Sequence, residues 1–424
     1  MKGDQAGSRR GRIRGFAIVL ALAAVMLTMI GISGAGAETA ENLTAGCKIS
    51  VSSTKQRIHR MTDGDYTSYW ASAKSVEPWV EISSGTPIYG VYLCFERKPE
   101  KWEIRGKNGE TLFTGETEFH HVYCALNGET EIRITAVGDG KTEMGFNEIF
   151  VFGEGEVPEW VQQWNPTPEK ADILFFVAHP DDDLLFMGGA IASYGPGRAD
   201  STVAVAYLTY SNTTRRSEML NGLWTLGIRE YPIIGDFRDF YYNKSKKMSD
   251  IYAAQTGGKN GVLGWVTEMF RKYKPEVVVT QDEKGEYGHP QHRLVADASK
   301  VCFEAAAEAG SYPESAEKYG TWQVKKLYLH LYGPEEEQTQ FDFTIPREEF
   351  GGLTANELAQ KAFEEHKTQA GKGWKFSGKK VVFSVEEYGV KRYPANRYGL
   401  YATTVGADTG HTDFLENIYK AVAE

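Results

Sequence analysis

The chain has 424 residues, 41% of them hydrophobic and 25% charged. That balance excludes wholesale disorder, and the length asks for more than one folded unit. The formal net charge of -10 argues against a nucleic-acid partner, because phosphate recognition needs a basic face and none is visible.

In chain order, residues 1–37 read as an export signal. Lys2, Arg9, Arg10, Arg12 and Arg14 precede an apolar run from Phe16 to about Ile32. Ala35-Gly36-Ala37 then has the small-x-small form that a signal peptidase reads. An uncleaved signal anchor is the competing reading, since the run approaches the roughly 18 apolar residues that begin to suggest a span. Both readings predict a secreted or cell-surface protein that touches a membrane only through such an anchor.

Residues 40–155 read as all-β. Short alternating or apolar segments (WVEIS, YGVYLCF, WEIRG, TEIRITAV, NEIFVFG) are separated by Gly, Asn, Asp and Pro turns. Cys47, Cys94 and Cys124 fall here, and an exported chain could pair two of them; Cys302, in a later helical pattern, is expected to be buried. Residues 156–170, bearing Pro158, Pro166 and Pro168, read as a linker.

From 171 to 424 strands alternate with helices. DILFFVA, TVAVAYLT and EVVVT are continuous apolar runs of strand length, as buried parallel strands should be. TRRSEMLNGLWTLG and VLGWVTEMFRKY lie between them with helical patterning. The alternation predicts an α/β doubly wound, mostly parallel sheet with helices on both faces.

The chemistry concentrates in two loops. A buried strand ends at Ala178, and His179, Asp181, Asp182 and Asp183 follow within five positions. Open α/β sheets bind ligands just beyond the carboxyl ends of their strands. So much acid beside an apolar strand is costly unless a cation neutralises it. After EVVVT, the segment YGHPQHRLVADA places His289 and His292 at a helix start, with Pro290 opening the helix. Two histidines and a carboxylate supply three ligands and leave a fourth position for water, as catalytic zinc sites do. Alone, HPDDD is an acidic helix cap; the two loops together favour a metal.

AHPDDD followed by GG, with GHPQH later, resembles the signature of the PIG-L/LmbE-like de-N-acetylase family. The likeness takes in RRSEMLNGLWTLGI through Arg215 and Glu218, EEHKTQ around His366, and the closing YGLYATTVGAD. Asp183 departs from it, standing where the family usually has glutamate. The resemblance implies a Rossmann-like fold and a metal-dependent N-deacetylase. His179, Asp182 and His292 would be the metal ligands, Asp181 the general base and His289 the stabiliser of the oxyanion or proton donor to the amine. Zinc is the expected ion, with ferrous iron or manganese as alternatives, because such ligand sets follow availability as much as identity. Arg215, Tyr287 and, after the strand YPIIG, Asp236 and Asp239 are candidate substrate contacts, and His366 is expected on a helix surface.

In the first domain MTDGDYTSYWAS, EPWVEISSG and GFNEIFVFGEG resemble the discoidin-like, galactose-binding-like β-sandwich. That resemblance implies a carbohydrate-binding module and a structural calcium held by Asp63, Asp65, Thr67 and Glu148, oxygen donors suited to that ion. Trp70 and Trp79 are expected to fill the core rather than stack on sugars. The expected substrate is an N-acetylated amino sugar in an extracellular glycan or glycoconjugate. The alternatives are an amidase on another acylated sugar conjugate and a non-catalytic glycan-binding surface protein.

Overall fold

The computed structural model describes residues 38–74, 76–138, 142–239, 261–370, 374–376 and 379–419. The export-signal segment lies outside the described residues. Among those described, no helix is long and apolar enough to cross a membrane, and all four cysteines are free thiols.

The N-terminal part is a seven-stranded antiparallel sheet. Its strands are β1 (Lys48–Val51), β2 (Trp70–Ala71), β3 (Trp79–Arg97), β4 (Trp102–Gly106), β5 (Thr111–Gly115), β6 (His121–Ala136) and β7 (Gly145–Phe152). Register breaks between Ser83 and Ile88 divide β3 into two halves. The first half lies between β1 and β6, the second between β7 and β6. Side chains from both halves meet in one core around Trp70, Phe95, Trp102 and Phe146. Trp70 is fully buried there, and Trp79 carries the Arg133 guanidinium 4.6 Å from its ring centre.

The second part is also built on a seven-stranded sheet. Its strands are β8 (Ile173–Val177), β9 (Val203–Tyr207), β10 (Ile233–Ile234), β11 (Val277–Thr280), β12 (Lys326–His330) and β13 (Gln338–Gln340), with a last strand, Arg397–Thr403. The spatial order is β10-β9-β8-β11-β12, all parallel, followed by Arg397–Thr403, which runs antiparallel to β12, and then β13, which runs antiparallel to Arg397–Thr403. Alternate side chains of each strand enter different cores: Ile173, Phe175 and Val177 one, Leu174 and Phe176 the other. Both faces are covered, which is why these strands are apolar without interruption.

The helices of this part are α1 (Asp182–Phe186), α2 (Gly188–Tyr194), α3 (Thr213–Leu226), α4 (Val262–Tyr273), α5 (Pro290–Ala305), α6 (Pro313–Tyr319) and α7 (Ala355–Phe363). The chain leaves β8 toward β9 on one side, while β11 pairs with β8 on the other. The topological switch point, where such sheets bind ligands, therefore lies between the ends of β8 and β11.

The two parts are fastened along α3. Arg216 donates to the carbonyls of Phe95 and Glu96 at 2.9 and 3.0 Å. His121 Nδ1 lies 2.9 Å from Oε1 of Gln162, and His120 Nδ1 lies 3.1 Å from the Tyr231 hydroxyl. The proline-bearing segment between the parts packs inward, burying Val161, Gln162 and Trp164.

Candidate active site

The loop after β8 turns straight into α1, so His179, Asp181, Asp182 and Asp183 are all buried at the switch point. Asp181 has φ 100°, a region a β-carbon resists and that costs of order 1–3 kcal/mol when held. Two contacts hold it. Its backbone N–H donates to Oδ1 of Asp183 at 3.2 Å. Its Oδ1 accepts from Arg215 at 2.7 Å, and the same guanidinium donates to the Pro180 carbonyl. The Gln281 side-chain oxygen accepts from the Ala178 N–H at 2.8 Å and ties this loop to the end of β11.

Oδ2 of Asp182 is the point of convergence. It lies 3.0 Å from Nδ1 of His179 and 3.2 Å from Nε2 of His292. His292 Nε2 is buried and has no hydrogen-bond partner among the described residues, while Nδ1 of the same ring donates to Glu286 at 2.7 Å. One nitrogen is thus committed and the other is left aimed at Asp182. Two donors on a tetrahedral divalent ion sit roughly 3.4 Å apart, so these spacings and the orphaned nitrogen fit a metal. His289 also offers an atom in a mutual cluster with His179 and His292, all within 4.8 Å. Asp182 lies closer to both rings and brings the negative charge, so it makes the better third donor, with His289 beside the cluster.

Electrostatics separate the three aspartates. Burial opposes charge on Asp182, but His292 and His179 hold it well below the usual carboxylate range. Burial pushes Asp181 up to about 6, against the pull of Arg215. Burial pushes Asp183 up to about 7. A carboxylate tuned near 6 suits a general base working near neutrality. Burial, with His292 and His179 nearby, holds His289 well below its ordinary value and therefore neutral. Its Nδ1 accepts the Gln291 N–H at 3.3 Å, which leaves the proton on Nε2.

The remaining predicted residues fall differently. Tyr287, at φ 47°, rests its ring 5.2 Å from that of His292 and is 37% exposed, so it rims the site. Arg215 does not pair with Glu218 on a helix surface. Glu218 instead accepts the N–H and hydroxyl of Thr368 at 2.7 and 2.6 Å. Asp239, not Asp236, reaches the cluster: its Oδ1 is 3.5 Å from Nε2 of His179, and Ser211 donates to its Oδ2 at 2.7 Å. Asp236 is exposed and faces Tyr210. The surface placement expected for His366 is wrong. It is fully buried, because α7 packs against α1 and α3; a β-carbon on Gly222 of α3 would come within 2.9 Å of its Nε2.

Sequence reasoning missed Glu286, Gln291 and His330. Gln291 Oε1 lies 3.0 Å from Nε2 of His179, and Glu286 bridges His292 and His330. Gln291 lies inside the GHPQH motif and Glu286 two positions before it, so both could have been suspected from that placement. His330 ends a different strand, and nothing local marks it.

In the N-terminal part Glu148 is fully buried, with neither carboxylate oxygen hydrogen-bonded to a described residue. Burial and the neighbouring Asp63 push it up to about 8. Asp63 accepts the Asp65 N–H and the Ser68 hydroxyl, and Asp65 accepts from the N–H and hydroxyl of Thr67. The four residues proposed for calcium thus share one turn and the strand facing it, and the orphaned Glu148 oxygens fit a cation.

Fold and site together define a doubly wound α/β domain with a histidine–carboxylate centre at its switch point. Residues 174–303 match the model of the PIG-L family, described as GlcNAc-PI de-N-acetylase. A 1D-myo-inositol 2-acetamido-2-deoxy-alpha-D-glucopyranoside deacetylase of Rhodococcus jostii (strain RHA1) is 30% identical over 178 residues, covering 37% of this chain and 60% of the relative. A mycothiol S-conjugate amidase of Streptomyces coelicolor is 41% identical over 68 residues, covering 16% and 22%. The chain spans about 60% of the length of the first of these relatives. Among solved structures, chitosan-binding module 1 of a chitosanase/glucanase from Paenibacillus sp. IK-5 aligns with 27% of this chain and 99% of the module, at 20% identity and a TM-score of 0.23.

Proposed function

We propose that the protein is a metal-dependent deacetylase that removes the acetyl group from an N-acetylated amino sugar in a glycan or glycoconjugate. The observation that carries the reading is the convergence of His179 and His292 on Oδ2 of Asp182, with Asp181 beside it. A divalent ion held by those three residues would polarise the amide carbonyl and acidify water.

The chain's own groups supply the rest. Asp181, oriented by Arg215, takes a proton from the attacking water and passes it to the departing amine nitrogen. The Nε2–H of His289 donates to the oxygen that gains charge at the acyl carbon. Arg215 has a buried Nε without a partner among the described residues, a donor suited to a sugar oxygen, and Tyr287 closes the rim. The match to a family described as de-N-acetylases and the deacetylase name of the Rhodococcus relative support this activity.

The test is a panel of N-acetylated sugars and oligosaccharides incubated with the chain and Zn²⁺, Fe²⁺ or Mn²⁺, scored for acetate and free amine. Acetate and amine in equal amounts are expected, and no release with any ion sinks the proposal. Release of a different acid would instead favour the amidase reading, which the name of the Streptomyces relative supports.

The N-terminal part serves in this reading as a carbohydrate-binding module with a structural calcium at Asp63, Asp65, Thr67 and Glu148, raising the effective substrate concentration. An extracytoplasmic substrate is proposed on the export-signal segment alone.

A further inference from the structure

Behind His292 runs a chain of buried polar groups that neither the motif nor the proposed chemistry accounts for. Glu286 uses both carboxylate oxygens. Oε2 accepts from Nδ1 of His292 at 2.7 Å, and Oε1 accepts from Nδ1 of His330 at 2.7 Å. The Asp282 N–H adds 3.1 Å to Oε1, and the Gln281 amide adds 3.4 Å to Oε2. His330 stands at the end of β12, and its Nε2 donates to the Pro394 carbonyl at 3.1 Å. All three side chains are fully buried. The Phe186 ring lies 6.0 Å from His292 and 5.9 Å from His330 and walls them together.

The donor inventory is strict. A carboxylate only accepts, so Nδ1 of His292 donates to Glu286, and His330 meets an acceptor at each of its nitrogens. In a neutral His292 this leaves the lone pair on Nε2, the nitrogen that faces Oδ2 of Asp182 at 3.2 Å. A buried histidine–carboxylate pair is ordinarily a fold element and a costly one, since apolar residues of similar volume are often as stable. This one differs because its far end sets the orientation of a ring whose other end is the candidate donor.

We propose that Glu286 and His330 are positioning residues acting in series: His330 fixes the Glu286 carboxylate, and Glu286 fixes His292 with Nε2 turned to the metal. The proposal rests on the metal-site reading above.

The test measures Zn²⁺ affinity of the full chain by competition with a chromogenic chelator, with folding checked by circular dichroism. The visible spectrum of the Co²⁺ form serves as a second readout. Glu286→Gln offers one acceptor oxygen where two imidazoles each need one. It is expected to weaken binding on the order of 10–100-fold and to change the Co²⁺ spectrum. His330→Leu should do the same, with His330→Asn, too short to span Glu286 and Pro394, taking its place if Leu does not fold. The Glu286→Gln/His330→Leu double variant should lose no more than the worse single variant, because the two links act in series. A merely structural pair would lower thermal stability and leave the affinity and the spectrum of the folded variants unchanged; that outcome overturns the proposal, as does an additive double variant. A wild type that binds Zn²⁺ and shows this pattern but releases no acetate leaves the relay standing and removes the deacetylase reading. A wild type that binds no ion removes both.

Discussion

Arg215 donates to Oδ1 of Asp181 across 2.7 Å, and it does so from a helix whose next residue, Arg216, is anchored on the carbonyls of Phe95 and Glu96. The helix that orients the proposed base is therefore gripped by the N-terminal part. Asp181→Asn should lower kcat on the order of 10²–10⁴-fold while metal content stays unchanged. Arg215→Met removes a group that pulls the Asp181 carboxyl down, so the acidic limb of the kcat/KM profile should move to higher pH. Steady-state kinetics over pH check both outcomes, and an unmoved limb would show that Arg215 does not act through Asp181.

Metal retention should depend on the three proposed donors unequally from their neighbours. His179→Ala, Asp182→Ala and His292→Ala should each emerge from dialysis with little bound zinc, whereas His289→Ala should keep it. Elemental analysis of the purified proteins decides. If the His289 variant is the one that loses zinc, the histidine triad rather than the Asp182 set is the site.

Glu148 makes a prediction about pH with a definite sign. Its folded pKa, about 8, lies above the ordinary 4.5, so between those values the folded chain holds a proton that the unfolded chain has released. Without a cation, this group makes stability fall as pH rises from about 4.5 to 8. Calcium should cancel that fall and raise Tm, because binding to the folded state alone stabilises it. In Glu148→Gln both the pH dependence and the calcium effect should vanish. Thermal unfolding with calcium or with chelator reads this directly; a calcium shift retained in the variant would place the ion elsewhere.

Acid should loosen the junction between the two parts. Burial, with Arg216 nearby, holds His120 down to about 2 and His121 down to about 3. The unfolded chain takes up these protons as pH falls below 6.5 and the folded chain does not, so stability is lost on going down from 6.5. A His120→Asn/His121→Asn variant should show a shallower decline in Tm between pH 7.5 and 5 than the wild type. Equal declines would locate the acid sensitivity elsewhere.

The proposed ligand set and base were legible because they sit in two short runs after apolar strands, where local spacing is enough to bring them near a strand end. Strand identity was legible for the same reason: Ile173–Val177, Val203–Tyr207 and Val277–Thr280 are buried on both faces, which leaves an unbroken apolar run. His366 was misread because helix periodicity describes one helix and does not show that a second helix lies over it. Of Asp236 and Asp239 only the second reaches the cluster, a distinction of three positions of irregular backbone that sequence alone cannot aim.

By itself, then, the amino-acid order determined which segments are strands, which strand ends carry acid and imidazole, and that a cation would relieve the buried charge. Only the tertiary structure decided that β11 docks beside β8 and brings Glu286 and His292 to Asp182, that His330 arrives from β12 to complete the chain, and that Arg215 turns to Asp181 instead of Glu218. These contacts join residues far apart in sequence, and their geometry comes from packing many side chains at once, which no local pattern encodes.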